Sequence, residues 1–282
     1  MSAIILDGRK IAETILARLR EKVNLFEAKP RLGIVVCGNN PESRLYARLK
    51  EKKSKEVGIL ATVCSLPTKT KEEALIKKIK ELNASVDGII VQLPLPSKFD
   101  TRKVLDSIDT AKDVDGLTSS TMGHLLMGDE TLAPATPKGI VRLLNEYKID
   151  TKGKDVVIVN NSNIVGKPLA MMLMQREATV TVCHKHTKDI KAHTKQADIL
   201  VSGVGIPRFI SKEMVKKGAV VIDVGVTKNG DKVVGDVDFE RVKEKVAFIS
   251  PVPGGVGPMT VAMVIENLIS AKIAQTHRRD LS

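Results

Sequence analysis

The chain has 282 residues, more than a single hydrophobic core usually serves, so two domains are expected. A hydrophobic content of 43% excludes disorder, and the opening "MSAIILDGRK" lacks the basic start and long apolar stretch of a secretory signal. The net charge of +12 suggests nucleic acid, but aromatic content of 2% with no Trp leaves too little stacking surface, and the lysines are spread along the chain.

No apolar run is read as approaching the roughly 18 residues of a spanning helix, so no membrane association is expected. Cys37, Cys64 and Cys183 are odd in number and form no CxxC pair, which fits a reducing cytoplasmic compartment better than a disulfide framework.

From Arg31, strand-like runs bounded by turns alternate with helical periodicity. "RLGIVVCG" precedes the helical "PESRLYARLKEKKSKEVG", "ILATVCSLP" precedes "KEEALIKKIKELN", and "GIIVQLP" precedes "TRKVLDSI". This alternation implies parallel strands covered by helices. On the first of these helices Ser43, Tyr46 and Lys50 stand at i, i+3 and i+7 and share a face, with Pro41 in the first turn and Asn39 or Asn40 as cap. A mixed surface stripe has the same spacing. The run Lys50, Lys52, Lys53 and Lys55, with Glu51 and Glu56 among it, reads as a solvated face. Gln92 ends a buried-looking strand, and the carboxyl end of a parallel strand is where α/β proteins bind ligands. "KDVDG" adds Asp113 and Asp115, which fit an ordinary Asp-Gly turn equally well.

"DTAKDVDGLTSS" and the Pro-punctuated "LAPATPKG" interrupt the rhythm before helix "GIVRLLNEYKI". A second alternating set follows in "KDVVIVN", "ATVTVCH", "ADILVSGVG" and "GAVVIDVGV". Two α/β domains joined near Pro134 to Gly139 are the simplest parse. A last helix, from about Pro258 to Gln275, can return to either one.

"VVIVNNSNIVGKPLA" runs from strand through polar loop to helix. Set on the GxGxxG turn of dinucleotide-binding proteins, Asn160 takes the first glycine place, Ser162 the second and Val165 the third, with Gly166 one step beyond. Asn tolerates positive φ, Ser caps helices, and Pro168 suits a first helical turn, so the loop can offer backbone N–H groups and a helix dipole to a phosphate. A plain capped turn fits these residues as well. After the next strand, Lys185 stands between His184 and His186 with no acid before Asp189, which suits the extra phosphate of NADP better than the ribose of NAD. The histidines have no Cys or carboxylate partner in ligand spacing, so no metal is expected.

Taken together, "NNPESRLYARLK", "DGIIVQLPLP", "KDVDG", "PATPKGI", "SNIVGKPLA", "ATVTVCH", "AVVIDVGV", "GDV" and "PVPGGVGPMT" make the chain resemble the bifunctional methylenetetrahydrofolate dehydrogenase/methenyltetrahydrofolate cyclohydrolase family, nearly end to end. The resemblance implies two α/β domains with a cleft between them that holds folate. Residues 1–136 plus 260–282 would form the catalytic folate-binding domain, to which the last helix returns, and residues 137–259 a Rossmann-like NADP-binding domain with a parallel sheet. It further implies a homodimer. By position, Lys50 matches the catalytic lysine, Tyr46 the tyrosine packed against folate, and Gln92 the residue hydrogen-bonded to that lysine. Asp115 matches the carboxylate that anchors the pterin, Ser43 is carried over as a further substrate-binding residue, and Pro253, Gly254 and Gly255 match the loop lining the folate cleft. The cofactor loop carries over to Asn160, Asn161, Ser162, Ile164, Val165 and Gly166, and the turn beyond the next strand to His184, Lys185 and Thr187.

The chemistry suits these residue types. Hydride transfer from the methylene carbon needs alignment more than a base, and the later addition of water needs a group that positions water and moves protons. Lys50 is expected to do this with its pKa lowered by desolvation or a cationic neighbour, held by an uncharged Gln92. Asp115 offers a bidentate match to adjacent pterin donors. The chain departs from the family text "GRSxIVGxP" at Asn160 and Asn161. The lost arginine approaches the cofactor's ribose phosphate, and Lys185 restores a positive charge, so NADP is expected over NAD.

Two other readings stay open on residues alone. Tyr46 and Lys50 form the YxxxK of short-chain dehydrogenases, although those place the nucleotide loop before it. A non-enzymatic basic binding protein is the second.

Overall fold

The computed structural model describes residues 3–230 and 232–280. The first half runs β1 (Ile4–Ile5), α1 (Gly8–Asn24), β2 (Arg31–Cys37), α2 (Pro41–Glu56), β3 (Leu60–Leu66), α3 (Glu72–Ser85), β4 (Gly88–Val91), α4 (Thr101–Leu105), α5 (Ser119–Leu126) and α6 (Ala135–Glu146). The second runs β5 (Asp155–Val159), α7 (Gly166–Met174), β6 (Thr179–Cys183), α8 (Ile190–Thr194), β7 (Ile199–Ser202), β8 (Val220–Asp223), β9 (Thr227–Asn229), β10 (Lys232–Val234), α9 (Phe239–Val242), β11 (Phe248–Ile249) and α10 (Val256–Asp280).

Two compact units result. One comprises Thr14–Ala135 with Val261–Ser282, and the other Met1–Glu13 with Thr136–Thr260. The amino-terminal residues, expected in the first domain, thus group with the second unit. The physical reason is strand pairing, since Ile4 and Ile5 lie parallel to Phe248 and Ile249 of β11.

The first unit is built on a parallel sheet in the order β3-β2-β4. β2 and β4 are apolar and buried almost throughout, as central strands covered on both faces must be, whereas edge strand β3 is partly exposed. Val35, Ile89 and Val91 pack with Leu75, Ile79 and Val104 into the core. The carboxyl-terminal helix α10 is fastened to this sheet by polar groups. The buried Asn267 donates from Nδ2 to the carbonyls of Val114 (3.0 Å) and Ala133 (2.9 Å). Lys272 pairs with the buried Asp87 at 3.0 Å, and Asp87 also accepts from the Arg31 N–H. By length and composition Val256–His277 would pass as a membrane span, contrary to the expectation that no segment does; most of it is buried, as befits a core helix.

The second unit holds a six-stranded parallel sheet ordered β1-β11-β8-β7-β5-β6. From β5 onward this is the doubly wound order 2-1-3-4-5, which reverses between β5 and β7 and so opens a crevice at their carboxyl ends. β5, β7 and β8 are apolar, and the edge strand β6 is partly exposed. Helix α6 begins at Ala135, so the segment read as a Pro-punctuated interruption already starts the helix, with Pro137 in its first turn, where a missing N–H costs nothing.

Two buried carboxylates tie the ends of β7 and β8. Asp223 accepts from the N–H groups of Gly225 (2.9 Å), Asp236 (3.0 Å) and Val237 (2.9 Å). Asp236 accepts from the Ser202 hydroxyl and from the successive N–H groups of Val204, Gly205 and Ile206, at 2.6 to 3.1 Å. Burial, reinforced by the charge of Asp236 and opposed by the donated N–H groups, pushes Asp223 up to about 6.

Asn267→Ala would leave two buried carbonyls without donors and is expected to destabilise the first unit by about 2 kcal/mol, read from the urea midpoint. A raised carboxylate pKa favours the protonated native state. The stability Asp223 contributes is therefore full below pH 4 and lost as pH rises through about 6, a change on the order of 3 kcal/mol. A carbon-detected NMR titration should find the Asp223 midpoint near 6, and the Asp223→Asn protein should lack this part of the pH slope in urea unfolding.

Candidate functional site

Helix α2 carries the first set of candidate residues. Asn40 caps it by accepting the Ser43 N–H at 2.9 Å, Pro41 occupies its first position, and Asn39 instead accepts from Arg44. The lysine run divides by face. Lys53 and Lys55 make helical ion pairs with Glu56 and Glu51, while Lys50 turns inward and is 5% exposed.

The Lys50 ammonium lies 3.4 and 3.5 Å from the two oxygens of Asp115. Its observed neighbour is thus an anion, in place of the cationic neighbour or glutamine expected from sequence. Gln92 donates from Nε2 to the Leu93 carbonyl at 3.0 Å, and its buried Oε1 has no hydrogen-bond partner among the described residues. The same Leu93 carbonyl, before the cis Leu93–Pro94 bond, accepts the Ser43 hydroxyl at 3.2 Å. Tyr46 is half-buried, and burial, then the charge of Glu42, pushes its hydroxyl pKa up.

The two aspartates of "KDVDG" have separate tasks. Asp113 is fully buried and accepts from Gly116, Leu117 and Thr118 N–H groups and the Thr121 hydroxyl, which folds the loop. Burial pushes its pKa up against these bonds. Gly116 has φ of +75°, and a Cβ there would strike the Leu132–Pro134 backbone. That loop turns Asp115 toward Lys50. Among the described residues no group of His, Cys, Asp and Glu has the arrangement of a metal site.

The second set lies at the carboxyl ends of β5, β6 and β7. Asn160 does not adopt positive φ, so the conformational freedom of a glycine is not what it supplies. Its side chain is spent inside the protein. Oδ1 accepts from Ser162 N–H (2.8 Å), Ser162 hydroxyl (2.7 Å) and Gly166 N–H (3.1 Å), and Nδ2 donates to the Gly203 carbonyl. The Val165 N–H is taken by the Ser162 hydroxyl and the Lys167 N–H by the Ser162 carbonyl. The first N–H groups of α7 are therefore committed internally, and the donors that stay open lie in the loop before the helix. The backbone N–H groups of Asn161, Asn163 and Ile164 have no acceptor among the described residues. Gly166, not Val165, takes the third-glycine place, because a Cβ there would collide with the Asn160 carbonyl.

Beyond β6, the Thr187 hydroxyl accepts the His184 N–H at 2.9 Å, the Thr187 N–H returns to the His184 carbonyl, and His184 Nδ1 accepts the His186 N–H. Lys185 stands at the tip of this turn, exposed, with no ion-pair partner among the described residues. Pro253, Gly254 and Gly255 belong to this second unit. Gly254 has φ of +113° and accepts the Arg9 N–H, and a Cβ on Gly8 would strike the Gly255 carbonyl, so the loop packs against the start of α1. Sequence alone does not mark Asp113, Asp223 and Asp236 as organisers of loops: Asp113 fits an Asp-Gly turn, Asp223 ends the apolar strand of "AVVIDVGV", and Asp236 sits in "GDV" after a short strand.

The family model of the tetrahydrofolate dehydrogenase/cyclohydrolase catalytic domain matches residues 6–115, and that of the tetrahydrofolate dehydrogenase/cyclohydrolase NAD(P)-binding domain matches residues 134–276. The chain is 48% identical over 277 residues to the bifunctional protein FolD of Moorella thermoacetica, covering 96% of this chain and 99% of the relative. It is 50% identical to that of Thermodesulfovibrio yellowstonii over 278 residues, 96% of this chain and 97% of the relative. The crystal structure of the bifunctional enzyme FolD from Campylobacter jejuni has a TM-score of 0.94 at 42% identity, covering 97% of this chain and all of that one. That of the Trypanosoma brucei dehydrogenase-cyclohydrolase, complexed with NADP cofactor and inhibitor, has a TM-score of 0.95 at 35% identity, with 98% and 99% covered. With both domains matched in order and relatives this similar along almost its whole length, the chain belongs to the tetrahydrofolate dehydrogenase/cyclohydrolase family.

Proposed function

We propose that Lys50 and Asp115 are the centre of the folate chemistry. The observation that carries this is the buried ammonium held against a carboxylate that is itself partly open. The chain is a bifunctional one-carbon enzyme, which oxidises methylenetetrahydrofolate to methenyltetrahydrofolate with NADP and then hydrolyses it to formyltetrahydrofolate.

In the first reaction the methylene carbon loses a hydride with its electron pair, and the adjacent nitrogen lone pair fills the vacancy as a delocalised methenyl cation. NADP, when bound, supplies the acceptor for that hydride. Asp115 accepts from the ring N–H and amino group of the pterin and fixes the ring by a bidentate contact. Tyr46 packs on the folate from the same helix face. In the second reaction water adds to the cationic carbon, a proton leaves, and a carbon–nitrogen bond opens. Lys50 orients the water and takes part in these proton transfers. With the pterin on Asp115, the unpartnered Gln92 Oε1 is the acceptor available to the lysine, and this supports the role of Gln92 as its positioning partner. Ser43 steadies the segment that carries Gln92 through the Leu93 carbonyl.

In the second unit Asn161, Ser162, Ile164, Val165 and Gly166 form the phosphate turn, with His184, Lys185 and Thr187 at the ribose phosphate. The reading extends to a homodimer in the cytoplasm, supported by the family match and by three unpaired cysteines. Tetrahydrofolate derivatives are its partners, and neither nucleic acid nor membrane enters the reading.

Lys50→Met is expected to abolish the cyclohydrolase activity and leave measurable hydride transfer, followed in one assay through NADPH and methenyl absorbance. Full cyclohydrolase activity in that variant would refute the role of Lys50. Lys185→Ala is expected to raise the KM for NADP about tenfold and to leave that for NAD nearly unchanged. An equal rise for both cofactors would remove Lys185 from the ribose phosphate.

A further inference from the structure

The sheet order of the second unit reverses between β5 and β7, and a ligand of a doubly wound sheet sits in the crevice this creates. Asn160 directly follows β5 and Gly203 directly follows β7, and the Asn160 amide joins them across that reversal. Its other end, Oδ1, gathers the Ser162 and Gly166 donors of its own β5–α7 turn. The segment after β7 is gripped from its far side as well. Asp236, fully buried, accepts from the Ser202 hydroxyl and the three successive N–H groups of Val204, Gly205 and Ile206. The Thr227 hydroxyl adds a bond to the Gly205 carbonyl at 3.3 Å.

These contacts stabilise a loop that has few apolar anchors of its own. Val204 is half-buried, Gly205 has φ of +73°, and Ile206 is 52% exposed. A loop of this kind opens readily unless polar bonds hold it. The turn after β5 is equally dependent, because the acceptor that closes it is a side chain and not backbone.

We infer that Asn160 and Asp236 are positioning residues for the dinucleotide: from opposite sides they hold the Gly203–Ile206 segment against the β5–α7 turn, so both walls of the crevice are set before the cofactor arrives. This rests on the second unit being the NADP-binding one. Asn160 is then no ligand of the phosphate, since its groups are spent on the protein, and the cofactor meets the uncommitted donors of Asn161, Asn163 and Ile164. The family text has glycine at the place of Asn160, so the amide is this chain's own way of joining the two loops. Ordering a loop in advance lowers the entropic cost of binding and raises affinity without adding a contact.

The test is amide hydrogen exchange of Val204, Gly205 and Ile206 in the protein without cofactor, alongside NADPH affinity by fluorescence. Asn160→Gly, which carries the residue of the family text, should speed exchange at these amides and raise the Kd for NADPH about tenfold, the effect of losing one or two hydrogen bonds. The KM for NADP should rise with it, while kcat at saturating NADP falls less than twofold. Asp236→Asn should act on the same amides, and the two changes combined should cost less than the sum of their separate effects, because they act through one loop. Unchanged exchange and unchanged NADPH affinity in Asn160→Gly would overturn the inference, whatever the fate of Asp236→Asn. Protected amides in an unmodified protein that binds no NADPH would overturn the reading of the unit, and the inference with it.

Discussion

Parallel strands buried on both faces leave polar chemistry only one outlet, the loops beyond their carboxyl ends. Each unit obeys this constraint. In the first, β4 is apolar from Gly88 to Val91, and Gln92 and the Leu93 carbonyl appear immediately past it. In the second, Asn160, Gly203 and His184 each directly follow a strand. The candidate side chains come from these loops and, for Tyr46 and Lys50, from the body of helix α2, and the strands serve to aim them.

Loops in such places lack cores, so buried carboxylates organise them. Asp113 folds the loop that presents Asp115, and Asp236 folds the segment beside the switch point, each by accepting consecutive N–H groups. A carboxylate accepts several bonds at once, which a carbonyl cannot do as well. The cost of burying charge is visible at Asp223, whose pKa rises to about 6 despite three donated N–H groups. The second unit keeps two such groups close together, and their mutual repulsion adds to that cost. The gain is a backbone path that hydrophobic packing alone would not define.

Much of the architecture was legible in the residues. Apolar runs such as "GIIV" and "DVVIV" mark central parallel strands because their burial is continuous, and the spacing of Ser43, Tyr46 and Lys50 marks one helix face. The family motifs place the candidate residues in the loops that follow β4, β5 and β6 and on helix α2. Short elements escaped for a physical reason. The two residues of β1 have no periodicity to read, and their pairing with Phe248 and Ile249 joins positions more than 240 apart in the chain. Helix α6 was obscured by Pro137, which breaks helices inside but is at home in a first turn.

What the sequence determined by itself was chemistry by type and order: a lysine and a tyrosine on one helix face, a carboxylate in the "KDVDG" loop, a polar turn after a strand, and a cation at Lys185. What only the tertiary structure decided was which partner each polar group found. Lys50 could not be matched to Asp115 rather than Gln92 from spacing, nor Asn160 to Gly203, nor Asp236 to the amides of Val204 to Ile206. A side chain's periodicity reports the face it occupies, because that is set by local backbone geometry. Its hydrogen-bond partner is set by where distant loops are brought by the packing of apolar strands, and that packing is a property of the whole core.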